Sequence, residues 1–330
     1  MNAIILAGGF GSRLRPLTEK IPKPMLPVAG LPMLDYVVAQ LNNYYIRDMI
    51  FTLGYHGEQV RSWALGYEGI NVRFTCEDKP LGTAGAVKQA QNMLDENFLV
   101  LSGDGLSNVN LDEMIMRHYQ EDALITMAVT KVANPSLYGV VKTDSLGRII
   151  DFIEKPKTSE YGNLVNTGIY IINKKVLDYV PNDEQFDFSK QLFPLFLGTN
   201  KILAYKHEGY WCDIGDKKSY YNANFRMKNG GFYERVERKE QLSTLENTGA
   251  NLTSTSAIVL GEASNSIIGN FCKVASSAKI DECIVLDGVT VTGAHSRAII
   301  GEGFVEQIEV MPKNSESWRE RANNLSQIPV

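Results

Sequence analysis

The sequence has little of what redox, disulfide or histidine chemistry requires. Its four cysteines, Cys76, Cys212, Cys272 and Cys283, include no C-x-x-C pair. Met1 leads straight into an apolar strand-like segment with no export-signal pattern. Together these features predict free thiols in a reducing, cytoplasmic setting. Only four histidines are present, and they form no recognisable catalytic constellation. No apolar run approaches the ~18 residues needed for a membrane-spanning helix. The net charge of −5 argues against a general nucleic-acid binder, so any nucleotide site has to be basic locally rather than globally. Two familiar phosphate loops are missing as well. A Walker A loop needs Gly-Lys-Ser/Thr, and Ser12 and Arg13 follow Gly11 instead; a dinucleotide fingerprint needs a glycine where Leu14 stands.

What is present is concentrated near the start. Ile4, Ile5 and Leu6 read as a buried strand that breaks at Ala7, Gly8, Gly9 and Gly11. Three glycines in four positions bare the backbone amides to a ligand, and two fixed cations follow, Arg13 and then Lys23 between prolines. Amide dipoles with point charges suit a polyphosphate. From Pro32 onward, Leu34, Val37, Val38, Leu41 and Tyr45 recur at helical spacing. Strands are expected over 48–53, 72–76 and 98–102, with helices over 58–65 and 83–94. Alternation at this spacing implies a mostly parallel sheet covered on both faces, with ligands at the carboxyl ends of its strands. The loops 8–11 and 80–85 and the dipeptide Gly103-Asp104 all follow strands, so they are expected to meet on one rim.

Pro80, Gly82, Thr83 and Gly85 lie in the loop PLGTAGA, which opens a helix and leaves room for a flat base. Asp104, directly after a strand and a glycine, is placed to hold a hard cation such as Mg²⁺. Asp213, in GYWCDIGD, sits beside Trp211, where an unpaired carboxylate is costly and a cation partner is favoured. Strands are expected over 123–131, 138–142 and 165–172. Asp187 or Ser189 is expected to cap a helix in FDFSKQLFP, and DKKSYYNANFRMKNGG reads as a helix closed by Gly230-Gly231. After the charged stretch ERVERKEQ the composition shifts. Ile268, Val274, Ile280, Leu286, Thr292 and Ala298 fall six apart, and Leu252 and Ile258 share that spacing with an offset. A sustained period of six points to a hexapeptide β-helix of about five coils or fewer, which needs a cap or partner at its ends. The tail from Lys313 is polar, with room for a short helix. At 330 residues two domains are expected, with boundaries at 1–229, a linker over 230–247, and 248–330.

The run LAGGFGSRLRPLT…PKPMLPVAG resembles the signature of sugar-1-phosphate nucleotidyltransferases, with Ser12 where the family commonly has Thr. The resemblance covers most of residues 1–228. It implies a Rossmann-like, mostly parallel α/β catalytic domain, followed here by a short left-handed parallel β-helix of the kind the family uses for assembly or regulation. It further implies that Leu6, Ala7, Gly8, Gly9, Gly11, Ser12, Arg13, Lys23, Pro80, Gly82, Thr83, Gly85 and Asp104 bind the nucleotide. Gly139, Glu154, Lys155, Asn166 and Gly168 are implied for the sugar phosphate, from the EKP and NTG segments, and Asp104 and Asp213 for Mg²⁺. Relatives often carry acidic residues where Asn108 and Asn110 stand. The forms PLGTAGA, FDFSKQLFP and YWCDIG are most similar to mannose-1-phosphate guanylyltransferases. GTP and mannose 1-phosphate are therefore the expected substrates. Glucose 1-phosphate with UTP, dTTP or ATP is the alternative, and a non-catalytic NDP-sugar-binding paralogue a further one. Arg13, Lys23, Asp104, Lys155 and Asp213 are the residues expected to carry catalysis, in a cytoplasmic homo-oligomer that binds neither nucleic acid nor membrane.

Overall fold

The computed structural model of the chain describes residues 1–230 and 245–309. The stretch ERVERKEQ, Gly231 and the tail from Lys313 lie outside the described residues. A nine-stranded sheet forms the first part. It uses β1 (Ala3–Leu6), β2 (Asp48–Leu53), β3 (Asn71–Cys76), β4 (Asn97–Ser102), β6 (Ile125–Lys131), β7 (Gly139–Thr143), β8 (Ile149–Glu154), β9 (Leu164–Asn173) and β10 (Ile202–Lys206). The order is β8-β7-β9-β4-β1-β2-β3, with β6 between β9 and β10. The half built from β4, β1, β2 and β3 is parallel, as the strand–helix alternation implies. Beyond β4 the long β9 runs antiparallel and the sheet becomes mixed.

Alternate residues of β1 point to opposite faces, as a period of two requires. Ile4 joins Ile50, Val100 and Val87 on one side; Ala3 and Ile5 join Phe51, Leu34 and Leu41 on the other. Helices α1 (Met33–Asn43), α2 (Gly57–Leu65) and α4 (Leu111–Gln120) cover the second face, while α3 (Gly82–Gln89) covers the first. Tyr45 does not continue the α1 stripe. It takes a left-handed φ of 58° with its ring exposed, and Ile46 turns back to donate its amide to Leu41 O at 3.0 Å. This ends the helix one turn early and puts Ile46, not Tyr45, in the core. The α-helix after PLG likewise stops at Gln89, and a 3₁₀ turn covers Gln91–Met93. In FDFSKQLFP a single π turn, Phe188–Leu192, gives way to a 3₁₀ turn, Phe193–Phe196, at Pro194. Asp187 holds the cap position without capping, because its carboxylate accepts from Thr83.

A two-stranded antiparallel ribbon, β5 (Gly105–Ser107) and β11 (Trp211–Asp213), sits below the sheet rim. It leads into α5 (Lys217–Lys228), capped by Asp216, which accepts from the Ser219 amide at 2.7 Å. The remaining described residues form the left-handed parallel β-helix. Pairings step from Leu252 to Ile267, Ile284 and Ile299, so the coils are 15 and 17 residues long rather than three sixes. The six-residue period therefore drifts out of register. Ile268, Val274, Ile280 and Ala298 are buried, but Thr292 is exposed and Val291 takes the inner place above Val274. Ile258 is exposed for the same reason. Antiparallel strands Leu245–Thr248 and Phe304–Gln307 close the two ends of the broadest face. On that face the column Ile267, Ile284 and Ile299 points outward and packs on Tyr220 and Tyr221 of α5, whereas Ile268, Val285 and Ile300 point into the coil. Tyr221 also donates its hydroxyl to Glu282 O at 2.6 Å.

Candidate functional site

Two cavities open at the carboxyl ends of the parallel strands and share a wall. The larger, about 500 Å³, is bounded by Leu6, Gly8, Gly9 and Phe10 after β1, Gly54 and Tyr55 after β2, and Glu77 to Pro80 after β3. Gly82, Thr83 and Ala86 at the start of α3 complete it with Asp187. The smaller, about 270 Å³, is bounded by Arg13, Lys23, Tyr138, Gly139, Glu154, Lys155, Asn166, Gly168, Trp211 and Asp213. Ser102 and Asp104 face both. The three loops expected on one rim do meet there.

The larger cavity owes its shape to missing side chains. A Cβ on Gly54 would stand 2.6 Å from Gly8 O, so the two loops touch backbone to backbone. Gly82 has φ +70°, and a Cβ there would meet Phe186 O at 2.8 Å. Thr52 Oγ1 accepts from the Ala7 amide at 3.3 Å and fixes the glycine loop, while Glu77 Oε2 accepts from the Leu81 amide at 3.0 Å and fixes the second. Not every residue expected at the nucleotide lines this space. Ala7 is buried behind the loop, and Gly11 packs on Thr18 and Lys23. Ser12 is exposed outside both cavities, and Gly85 faces Glu184 O and donates its amide to Phe186 O. These four are second-row backbone, shaping the loops rather than facing the space.

At the shared wall three charges converge. Lys23 Nζ donates to Asp104 Oδ2 and, at 3.4 Å, to Asp213 Oδ1, and the lysine is only 8% exposed. Ser102 donates to the other Asp104 oxygen. The β5–β11 ribbon sets the spacing, since Asp213 pairs with Gly105 and the Ile214 amide donates to Asp104 O at 3.2 Å. Burial opposes ionisation of Asp104, but the Lys23 ammonium and the Ser102 hydroxyl outweigh it, and its carboxyl stays below the ordinary range. Asp213 goes the other way, pushed up by burial and by the Asp104 charge despite Lys23 and Arg13. Burial alone would lower the pKa of Lys23, yet the two carboxylates hold it raised. The cation partner expected for a buried Asp213 is thus the lysine. Arg13 and Lys23 line the smaller cavity and not the larger one, Lys23 being held there by the two carboxylates.

Deeper in the smaller cavity, Asn166 donates to Tyr170 OH at 2.8 Å and accepts from the Gly168 amide at 2.9 Å, a fixed hydrogen-bonding corner. Lys155 takes a left-handed φ of 48°, anchored by its amide to Tyr138 O at 3.0 Å, and its side chain is 59% exposed beside Glu154. Trp211 donates to Thr167 O at 2.9 Å and meets Tyr138 edge-on at 5.1 Å, walling the cavity with aromatic surface. Asn108 and Asn110 face neither space. Asn108 accepts from the Tyr210 amide and Asn110 caps α4, so amides here serve the scaffold. Sequence reasoning missed Gly54, Thr52, Ser102, Glu77 and Tyr138. Gly54 could have been found, since it follows β2 as Gly103 follows β4; Tyr138 gives no local signal.

Such an arrangement suits the meeting of two phosphorylated ligands at a charged seam. A family profile described as nucleotidyl transferase matches residues 2–230. The chain is 33% identical to "Probable mannose-1-phosphate guanylyltransferase 2" of Arabidopsis thaliana, over 95% of this chain and 92% of that protein. It is 29% identical to the mannose-1-phosphate guanylyltransferase of Mycobacterium tuberculosis, over 88% and 81%. Among solved structures, HddC from Yersinia pseudotuberculosis complexed with GMP-PN aligns with a TM-score of 0.60 and 29% identity, covering 68% of this chain and 99% of that one.

Proposed function

Since this chain belongs to the nucleotidyl transferase family, we propose that it joins GTP and mannose 1-phosphate into GDP-mannose with release of pyrophosphate. The observation that carries this reading is the shared wall. Ser102 and Asp104 border both cavities, so a nucleotide in the larger one and a sugar phosphate in the smaller one meet at the Lys23, Asp104 and Asp213 cluster.

The sugar-phosphate oxygen attacks the α-phosphorus in line, a new P–O bond forms, and the bond to pyrophosphate breaks. A phosphate is already ionised near neutral pH, so no general base is needed. Positioning and charge neutralisation supply the acceleration. In this reading the glycine loop and PLGTAGA hold the nucleoside and its phosphates. Lys155 binds the attacking phosphate, and Glu154 and Asn166 bind sugar hydroxyls. Arg13 and Lys23 hold charge on the triphosphate where it crosses the seam. Mg²⁺ suits Asp104 and Asp213, which offer hard oxygens to one common point, now taken by Lys23 Nζ. No group of three or more His, Cys, Asp or Glu side chains converges among the described residues. The ion would therefore keep water and phosphate oxygens as its other ligands. Bound there, it neutralises charge on the reacting phosphates.

The choice of GTP and mannose 1-phosphate rests on the guanylyltransferase relatives and on a guanine nucleotide in the structural neighbour. Domains over 1–229 and 248–330 joined through 230–247 are part of the proposal, with the strand Leu245–Thr248 at the end of that joint already paired onto the β-helix. So is a cytoplasmic setting, with which four free cysteines agree. No helix among the described residues is long and apolar enough to cross a membrane. Exposed Ile258, Leu260 and Phe271 on the β-helix favour self-association, which sedimentation of the intact chain would read. Pyrophosphate release across a matrix of NTPs and sugar 1-phosphates tests the assignment. GTP with mannose 1-phosphate should give the highest kcat/KM. A higher value for glucose 1-phosphate with UTP, dTTP or ATP would replace it, and silence of every pair would make the chain a binding paralogue.

A further inference from the structure

Lys23 is an unusual neighbour for a pair of metal-binding carboxylates. Its ammonium sits between Asp104 Oδ2 and Asp213 Oδ1. It is not a surface lysine that has swung in, because its side chain is 10% exposed and its backbone is fixed in a 3₁₀ turn between Pro22 and Pro24. No other acidic side chain supplements the pair among the described residues, so one lysine with nearby Arg13 already offsets the two negative charges. An ammonium and a divalent cation cannot occupy the same point, and each repels the other across a few ångströms of weakly screened interior.

We propose that Lys23 is a cation gate. In the nucleotide-free enzyme it fills the position a divalent ion would take and keeps that ion out. The phosphates of an incoming nucleotide offer the ammonium a new partner at the same seam, which frees the carboxylates for the ion the nucleotide carries. The consequence is ordered entry, nucleotide and metal together, with no metal bound to the resting protein. The inference rests on reading Asp104 and Asp213 as the metal-holding pair.

The test is direct binding of Mn²⁺, with no nucleotide, to wild type, Lys23→Met and Lys23→Met/Asp213→Asn, followed by the electron paramagnetic resonance of free ion. The gate predicts Mn²⁺ affinity at least about tenfold higher in Lys23→Met than in wild type, lost again in the double variant. Removing the ammonium leaves two carboxylates face to face, so thermal melting accompanies the titration. Mn²⁺ should raise the Tm of Lys23→Met and leave that of wild type unmoved. Equal Mn²⁺ affinity in wild type and Lys23→Met overturns the gate. If affinity is equal but Mn²⁺ still tightens GTP binding to wild type and not to Asp213→Asn, only the gate has failed. If Mn²⁺ does not tighten GTP binding either, the metal pair has failed and the gate with it.

Discussion

Lys155 gives the sharpest separation of function from stability. Its ammonium is 3.8 Å from Glu154 Oε1 and its side chain is 59% exposed, so the pair is a surface contact. Such pairs contribute at most about 1 kcal/mol, so Lys155→Met should shift the Tm by no more than about 3 °C. Methionine keeps the length of the stem, and the backbone stays anchored at Tyr138 O. At the site the loss is larger. Removing one cation from a reacting phosphate typically costs on the order of 3 kcal/mol, which is roughly a hundredfold in rate. Lys155 borders only the smaller cavity. The loss should therefore fall on kcat/KM for the sugar phosphate and leave KM for GTP near wild type. Steady-state pyrophosphate release with each substrate varied in turn reads both. A change of less than about threefold in kcat/KM for the sugar phosphate, or an equal rise in both KM values, would refute the placement.

Two further outcomes test the scaffold. Gly54→Ala puts a methyl 2.6 Å from Gly8 O and 2.9 Å from Gly8 Cα, both backbone, so the glycine loop has to shift. GTP affinity by calorimetry should fall at least about tenfold, and unchanged affinity would mean that the loops are not in contact. His118 is buried, with Thr126 Oγ1 at 2.8 Å, and burial lowers its pKa from 6.5 to about 4 against the opposing charge of Asp122. The folded state thus takes up fewer protons than the unfolded one. Its stability is full above about pH 6.5 and declines as pH falls toward 4, by about 2 kcal/mol between pH 7 and 5. Urea unfolding at both pH values should show this loss in wild type and not in His118→Gln; equal losses in the two would reject the assignment.

Legibility followed the range of the interactions. The strand-and-loop order of the first 104 residues is written locally, as apolar runs broken by glycine, and the rim loops meet as that pattern implies. Asp104 is readable for the same reason, following a glycine at a strand end, and Asp213 stands out because it is a carboxylate two residues from Trp211. What was not readable depends on partners far away in the chain. Lys23 looks in sequence like a cation for a polyphosphate, yet 81 and 190 residues separate it from the carboxylates that hold it. Asp187 looks like a helix cap, but Thr83, 104 residues away, takes its carboxylate. The β-helix shows a second kind of failure. A period of six is the right local signal, but coils of 15 and 17 residues shift the phase, so Val291 rather than Thr292 faces inward. Local patterns name the element, and register decides which residue it buries.

The same cluster that seats the β-helix also supports the chemistry. Leu106 follows Gly105 on β5, and Ile214 follows Asp213. Both are fully buried in one apolar group with Tyr220 and Tyr221 of α5 and the outward column Ile267, Ile284 and Ile299. The ribbon that fixes the distance between the two aspartates thus has the glycine-rich rim on one side and the C-terminal domain behind it. The larger cavity has no such backing, since its loops are braced by Thr52, Glu77 and residues 184–187 within the sheet domain. The β-helix therefore packs directly behind the ribbon that carries Asp213, whereas the loops of the larger cavity are braced from within the sheet domain.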